Sequence, residues 1–178
     1  MANRAAIREL QSRLAARLQA ARTEGVSVAW LAVRCAGANY LFPLVQAGEI
    51  FPLTALQKVP YCQPWFSGVL NLRGGLYGVV DLAAFVAGGV TPSRSEMALG
   101  DASVITFHTE LDINCGLLVD TLAGLRSTES FAQSTGPLPG SPVYFGNRYT
   151  ESGNSDVVWQ EINLQTLAQL PDFLRINA

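Results

Sequence analysis

Short apolar segments rich in β-forming residues follow one another along the chain from Val26 onward, and turn residues separate them. Val26–Val33 precedes a small-residue turn at 36–38, and a Gly-rich turn separates Val69–Leu72 from Leu76–Val80. The chain's 16 Gly and 9 Pro agree with short elements. This pattern favours a small barrel or sandwich over a long-helix bundle, so we expect a mainly β fold. The other predicted strands are Tyr40–Leu44, Val104–His108, Cys115–Val119, Val143–Phe145 and Val157–Ile162.

The first 24 residues differ from the rest of the chain. Their apolar residues recur in steps of three and four, which predicts a helix with one apolar stripe formed by Ile7, Leu10, Leu14, Leu18 and Ala21. Five arginines here oppose two glutamates, whereas the remainder is acidic. We predict an N-terminal helix over residues 1–25 and one domain over 26–178. The stripe fits either docking on that domain or binding of a partner, and its lack of aromatics disfavours a membrane surface.

Two predicted loops and one predicted helix complete this outline. Gly88–Gly100 and Ser134–Pro142 lack periodicity and are rich in Gly, Pro and Ser, which is typical of loops. Helical spacing returns at Asn163–Leu170, with Asn163 as the expected N-cap and Pro171 after the end of the helix.

Candidate catalytic groups are sparse. His108 is the single histidine, and Cys35, Cys62 and Cys115 form no Cys-x-x-Cys pair, so a standard zinc site is not expected. Lys58, the only lysine, lies between Gln and Val, which excludes a P-loop. No Gly-x-Ser-x-Gly elbow is present. The sequence predicts no catalytic residue, no metal and no cofactor.

Asp81 and Asp120 each follow an apolar strand. A general acid–base role would require the two carboxylates to converge, and the simpler interpretation is that each caps a turn.

Charge and hydropathy limit the partners. The formal net charge is −2, so the chain offers no basic field to nucleic acid. No apolar run approaches the ~18–20 residues that span a bilayer, and the N-terminus lacks an apolar signal core. We therefore predict a cytoplasmic protein with no nucleic-acid partner and no direct membrane insertion.

The most informative stretch is Pro64–Gly88, which reads PWFSGVLNLRGGLYGVVDLAAFVAG. Its Gly-Val-Leu-Asn-Leu-Arg-Gly and Val-Asp-Leu motifs resemble those of the CheW-like domain, an adaptor family of bacterial chemosensory arrays. The resemblance extends over about Val26–Leu170. Its Gly-rich turn and added N-terminal helix are similar to the version in type IV pilus twitching-motility systems. Gly78 departs from the family, which usually has proline at this place, and so leaves the backbone freer.

The resemblance implies a fold, partners and site residues. The expected fold is two small five-stranded, SH3-like β-barrels sharing a hydrophobic core, with a short C-terminal helix. The implied function is non-enzymatic coupling of the cytoplasmic tip of methyl-accepting chemoreceptors to the regulatory domain of a CheA-type histidine kinase. The implied interaction residues are Glu49, Asn71, Leu72, Arg73, Gly74 and Asp81. The alternative function is a standalone β-barrel module that binds a ligand or nucleic acid.

Two of these residues carry a structural expectation. Glu49 and Arg73 lie in apolar segments, so we expect them to form an ion pair that is partly sheltered from water. The alternative is that both charges are solvated at loop ends. For Asn71, stabilising the turn through backbone hydrogen bonds is at least as plausible as contacting a partner.

Overall fold

The computed structural model describes residue 9, residues 11–16 and residues 28–178. Eleven strands in this part of the chain form two sheets, and four short α-helices lie between or after them. The strands are β1 (Val28–Cys35), β2 (Ala38–Pro43), β3 (Ala47–Pro52), β4 (Phe66–Leu72), β5 (Gly75–Asp81), β6 (Ser103–Phe107), β7 (Cys115–Val119), β8 (Thr121–Ser127), β9 (Phe131–Thr135), β10 (Phe145–Glu151) and β11 (Asn154–Ile162). The helices are α1 (Leu82–Val86), α2 (Glu96–Asp101), α3 (Leu164–Ala168) and α4 (Pro171–Leu174).

The six-stranded sheet has the order β8-β1-β2-β11-β10-β9, and the five-stranded sheet has the order β3-β6-β7-β5-β4. Antiparallel pairs dominate, and the parallel pairs are β2 with β11 and β5 with β7. Past β3 the chain continues to Gln57, which forms a bridge with Val69 of β4. The bridge therefore links the segment that follows β3, one edge strand of the five-stranded sheet, to β4, the other edge strand.

Strand alternation places the core in three layers. Along β1, Leu31 and Val33 face a central cluster that also contains Ile105 and Val119 from the other sheet. The intervening residues of β1 face a second cluster built on Trp159 of β11. A third cluster of Leu70, Leu72, Val79, Val104 and Leu118 belongs to the five-stranded sheet alone. The period-2 pattern therefore gives each sheet one shared face and one face of its own.

The mainly β prediction is confirmed, while several details differ from the sequence-based outline. The two sheets have six and five strands, so one sheet has a strand more than the expected pair of five-stranded, SH3-like units, and the strands of neither sheet close into a complete barrel. The predicted loop Gly88–Gly100 contains most of α2, which Ser95 caps through a 3.1 Å bond from the Ala98 amide. Strands β8 and β9 were not predicted. Their side chains are mostly half-buried or exposed, so they lack a clear apolar alternation.

The end of the chain follows the prediction at its cap and departs from it at Pro171. The Asn163 side chain accepts a 2.9 Å hydrogen bond from the Thr166 amide and thus caps α3. Pro171, expected only to follow a helix, also begins α4, where its missing N–H is not needed. Phe173 of α4 is buried and stacks on Trp65.

Part of the N-terminal segment packs on the sheets. Residues 9 and 11–16 are helical, as predicted. Gln11 Nε2 donates a 2.8 Å hydrogen bond to Ser103 Oγ, and Leu14 is buried in the central cluster. The other members of the predicted stripe lie outside the described residues. These contacts favour docking of the stripe on its own domain, and the division at residue 25 stays a prediction.

None of the described helices is long and apolar enough to cross a membrane.

Candidate protein-interaction surface

The turn between β4 and β5 follows directly from its sequence. Leu72 pairs with Gly75, which leaves Arg73 and Gly74 as a two-residue turn with φ of 50° and 87°. Positive φ at both central residues matches the type I′ turn that suits the right-handed twist of a hairpin. The Asn71 Oδ1 atom accepts a 2.9 Å hydrogen bond from the Gly74 amide. The Asn-Leu-Arg-Gly motif thus forms a tight hairpin, and the Asn71 side chain stabilises its turn, which is one of the two roles considered for it.

The predicted ion pair between Arg73 and Glu49 is present. Arg73 Nη2 lies 2.8 Å from Glu49 Oε2, and the Arg73 guanidinium also lies 5.8 Å from the Phe51 ring centre. The two side chains are 74% and 51% exposed, so the expected shelter from water was wrong. The physical reason is that Arg73 occupies the tip of a hairpin, where the apolar neighbours Leu70 and Leu72 point into the sheet's own cluster.

The remaining motif residues divide between surface and interior. Asn71 and Gly74 are exposed, whereas Leu72 is only 9% exposed and packs inside. Leu76, which the sequence did not single out, is the cross-strand partner of Asn71 and is 63% exposed. We call Glu49, Asn71, Arg73, Gly74 and Leu76 the hairpin-tip surface. It presents an apolar side chain among an amide and two charges of opposite sign.

Asp81 lies away from this surface, in a buried ion cluster. Its carboxylate accepts two hydrogen bonds from the Arg94 guanidinium, one of them the Nη2 bond of 3.0 Å. Arg94 Nε donates to Asp120. The side chains of Arg94, Asp81 and Asp120 are 8%, 4% and 25% exposed. The two strand-ending aspartates therefore converge, and a buried cation separates them.

Each aspartate also accepts a backbone hydrogen bond. Asp81 Oδ1 accepts from the Ala84 amide and caps α1, where the sequence predicted that it caps a turn. Asp120 Oδ2 accepts from the Ala36 amide at 2.6 Å in the β1–β2 turn. Burial by itself lowers the pKa of Arg94, but hydrogen bonds and charges from the two aspartates outweigh burial and raise this pKa above its usual value. Both carboxylates thus have cationic and amide partners, an arrangement that suits structure rather than proton transfer.

A groove of about 680 Å³ opens beside this cluster. Its lining includes Leu53, Leu56 and Val59 from the segment after β3, and Thr91, Pro92 and Leu99 from the stretch between α1 and the end of α2. Asp81, Arg94 and Leu118 also line it.

The two buried cysteines, Cys35 and Cys115, are not activated as nucleophiles. Burial raises the pKa of Cys35 to about 11 and that of Cys115 to about 12, which favours the protonated thiols. No group of three or more His, Cys, Asp and Glu side chains that could hold a metal occurs among the described residues.

The profile of the CheW-like domain matches residues 29–144, which include the whole five-stranded sheet, the hairpin tip and the ion cluster. The chain belongs to the CheW-like domain family. Membership places this CheW-like chain among scaffold and adaptor proteins of chemosensory signalling, which are not enzymes.

Two individual proteins support this assignment. Protein PilI of Pseudomonas aeruginosa is 27% identical to the CheW-like chain over 168 residues, which cover 92% of this chain and 88% of PilI. The crystal structure of the scaffolding protein TtCheW from Thermoanaerobacter tengcongensis matches with a TM-score of 0.56 and 17% identity, over 77% of this chain and 89% of that one. The structural likeness confirms the CheW-like fold.

Proposed function

We propose that this CheW-like chain links the cytoplasmic tip of methyl-accepting chemoreceptors to the regulatory domain of a CheA-type histidine kinase. The similarity to PilI supports a place in the control of type IV pilus twitching motility. The location that fits these partners is the cytoplasm.

The hairpin-tip surface carries this proposal, because it combines the family's motif residues with high exposure. Arg73, Glu49 and Asn71 offer donors and acceptors to solvent, and Leu76 adds exposed apolar area that a partner could bury. Arginine is also among the residues that most often contribute strongly to binding at protein interfaces. We assign this surface to the receptor. Leu72 supports it from the interior, since its side chain is buried, whereas Asp81 lies away from it in the ion cluster.

Binding to each partner, measured separately, tests the assignment. Arg73→Ala is expected to weaken binding of a receptor-tip fragment about tenfold, which corresponds to ~1.4 kcal/mol, and to leave kinase binding within about twofold. Arg175→Ala is the matched control, because Arg175 is an exposed arginine at the far end of the chain. Equal losses for both partners would contradict the receptor assignment, and no binding of the wild-type chain to either partner would contradict the function.

A further inference from the structure

The buried ion cluster lies at the point where the chain passes from one sheet to the other. Asp120 separates β7 of the five-stranded sheet from β8 of the six-stranded sheet. Its amide donates to the Arg34 carbonyl at 3.0 Å, and its carboxylate accepts from the Ala36 amide. Two hydrogen bonds therefore connect Asp120 to the end of β1 and the turn after it. Asp81 is the last residue of β5 in the five-stranded sheet. The Arg94 guanidinium therefore bonds one carboxylate at the end of β5 and another at the crossing between the sheets.

Arg94 also fixes the loop that bears it. Apart from the bonds of Arg94, one hydrogen bond connects residues 90–94 to the rest of the described chain. The Thr91 hydroxyl donates it to the Pro64 carbonyl at a long 3.4 Å. Thr91, Pro92 and Arg94 line the groove. The planar guanidinium uses Nε, Nη1 and Nη2 at once, which fixes its orientation in a way that a lysine ammonium does not.

The cluster is a poor device for stability alone. Removing three charges from water is costly, and apolar side chains of similar volume commonly do as well or better. Two carboxylates also face one guanidinium, so the charges do not balance. A buried arrangement of this kind is best explained by the geometry that it imposes.

We propose that Arg94 is a positioning residue that locks the 88–95 loop, and with it the part of the groove lining that this loop supplies, to the crossing between the two sheets. The shape of the groove then depends on how the sheets are placed relative to each other. This property concerns the chain's own conformation and does not depend on which partners it binds.

The test uses a neutral cluster of nearly the same shape. The variant Arg94→Met with Asp81→Asn and Asp120→Asn removes all three charges, and the asparagine oxygens can still accept from the Ala84 and Ala36 amides. Spin labels at position 90 in the loop and position 45 in the β2–β3 turn report the loop position, because Val90 and Val45 are 70% and 78% exposed. Cys62→Ser removes the half-buried native thiol from labelling.

We expect a single narrow distance between the labels in the parent chain and a broadened or second distance in the neutral variant. A control pair at positions 45 and 143 does not include the loop and should keep its distribution. An unchanged 45–90 distance in a folded neutral variant would overturn the proposal. Broadening of both label pairs would also overturn it, because it would indicate general loosening.

Arg94→Lys provides a second test that does not require the neutral variant to fold. It keeps the charge, but a lysine ammonium cannot reproduce the fork that reaches both carboxylates. We expect hydrogen exchange of the Ala36 amide to accelerate about tenfold, while the Leu31 amide in the middle of β1 changes by less than about twofold. Equal acceleration at both amides, or none at Ala36, would contradict a positioning role.

Discussion

The Arg73 guanidinium and the Glu49 carboxylate form a 2.8 Å ion pair between the β4–β5 turn and β3, which are at opposite edges of the five-stranded sheet. The exposure of the two side chains determines how much the ion pair contributes to the stability of the fold. Water screens both charges, so the pair orients the hairpin-tip surface more than it stabilises the fold.

A double-mutant cycle over Glu49→Ala and Arg73→Ala measures this contribution. We expect a coupling free energy of about 0.2–1 kcal/mol in urea unfolding, because both side chains are more than half exposed. The coupling should shrink at high salt, where exposed charges are screened. A salt-independent coupling above about 2 kcal/mol would mean that the pair is buried in solution.

Leu76 should matter for binding and not for folding. Leu76→Ser removes an apolar side chain that is 63% exposed, so the free energy of unfolding should change by less than about 0.5 kcal/mol. Binding of the receptor-tip fragment should fall by at least about fivefold, or ~1 kcal/mol, because less apolar area is buried on binding. Val143→Ser, at a 72% exposed valine outside the hairpin tip, is the control. Equal effects of the two substitutions on binding would exclude Leu76 as an anchor.

Gly78 makes room for an aromatic ring. A Cβ atom at this position would lie 3.0 Å from Cε2 and 3.4 Å from Cζ of Phe66. We expect Gly78→Ala to cost about 1–3 kcal/mol in urea unfolding, and Phe66→Leu in the same chain to recover part of that loss. Gly136→Ala, where nothing lies within 4 Å of the added Cβ, should be close to neutral. Similar unfolding midpoints for the two alanine variants would show that Phe66 yields without cost.

Stability should fall in alkaline solution. Burial raises the pKa of Cys35 to about 11, and the pKa values of Cys115 and Tyr144 to about 12, from ordinary values of 9.0 for the thiols and 10.0 for the phenol. The folded chain then holds protons that the unfolded chain releases. The contribution of these groups to the free energy of unfolding is therefore fully present below about pH 9, and it declines as the pH rises toward 11–12.

Urea titrations between pH 8 and about pH 11 measure this decline, to which each group adds up to ~1.4 kcal/mol per pH unit. Cys115→Ala removes one buried thiol and should make the decline shallower, whatever it does to stability at pH 8. A pH dependence that is identical in the two chains would mean that this thiol is not protected by burial.

The N-terminal helical segment should contribute stability without being required for folding. Leu14 is 9% exposed in the central cluster, so Leu14→Ala should cost about 2–3 kcal/mol, whereas the exposed Arg13→Ala should cost less than about 0.5 kcal/mol. A chain that lacks residues 1–24 should still unfold in one cooperative transition. Loss of that transition would make the segment an integral part of the core.

Local patterns in the sequence predicted several elements well. Alternating apolar residues predicted most central strands, and Asn163 predicted the start of α3, because both signals act over a few neighbouring residues. The Asn-Leu-Arg-Gly turn was predictable for the same reason. Strands β8 and β9 were missed because their side chains lie at sheet edges and carry weak alternation.

What the sequence by itself determined is the mainly β character, the hairpin turn and the pairing of Glu49 with Arg73 by resemblance to a family. The tertiary structure alone decided the exposure of that pair and the burial of Arg94. Arg94 lies in a stretch without periodicity, and its two carboxylate partners are 13 and 26 positions away in the chain. Contacts of this kind depend on how two sheets and a loop meet in space, and no local pattern of residues encodes that meeting point.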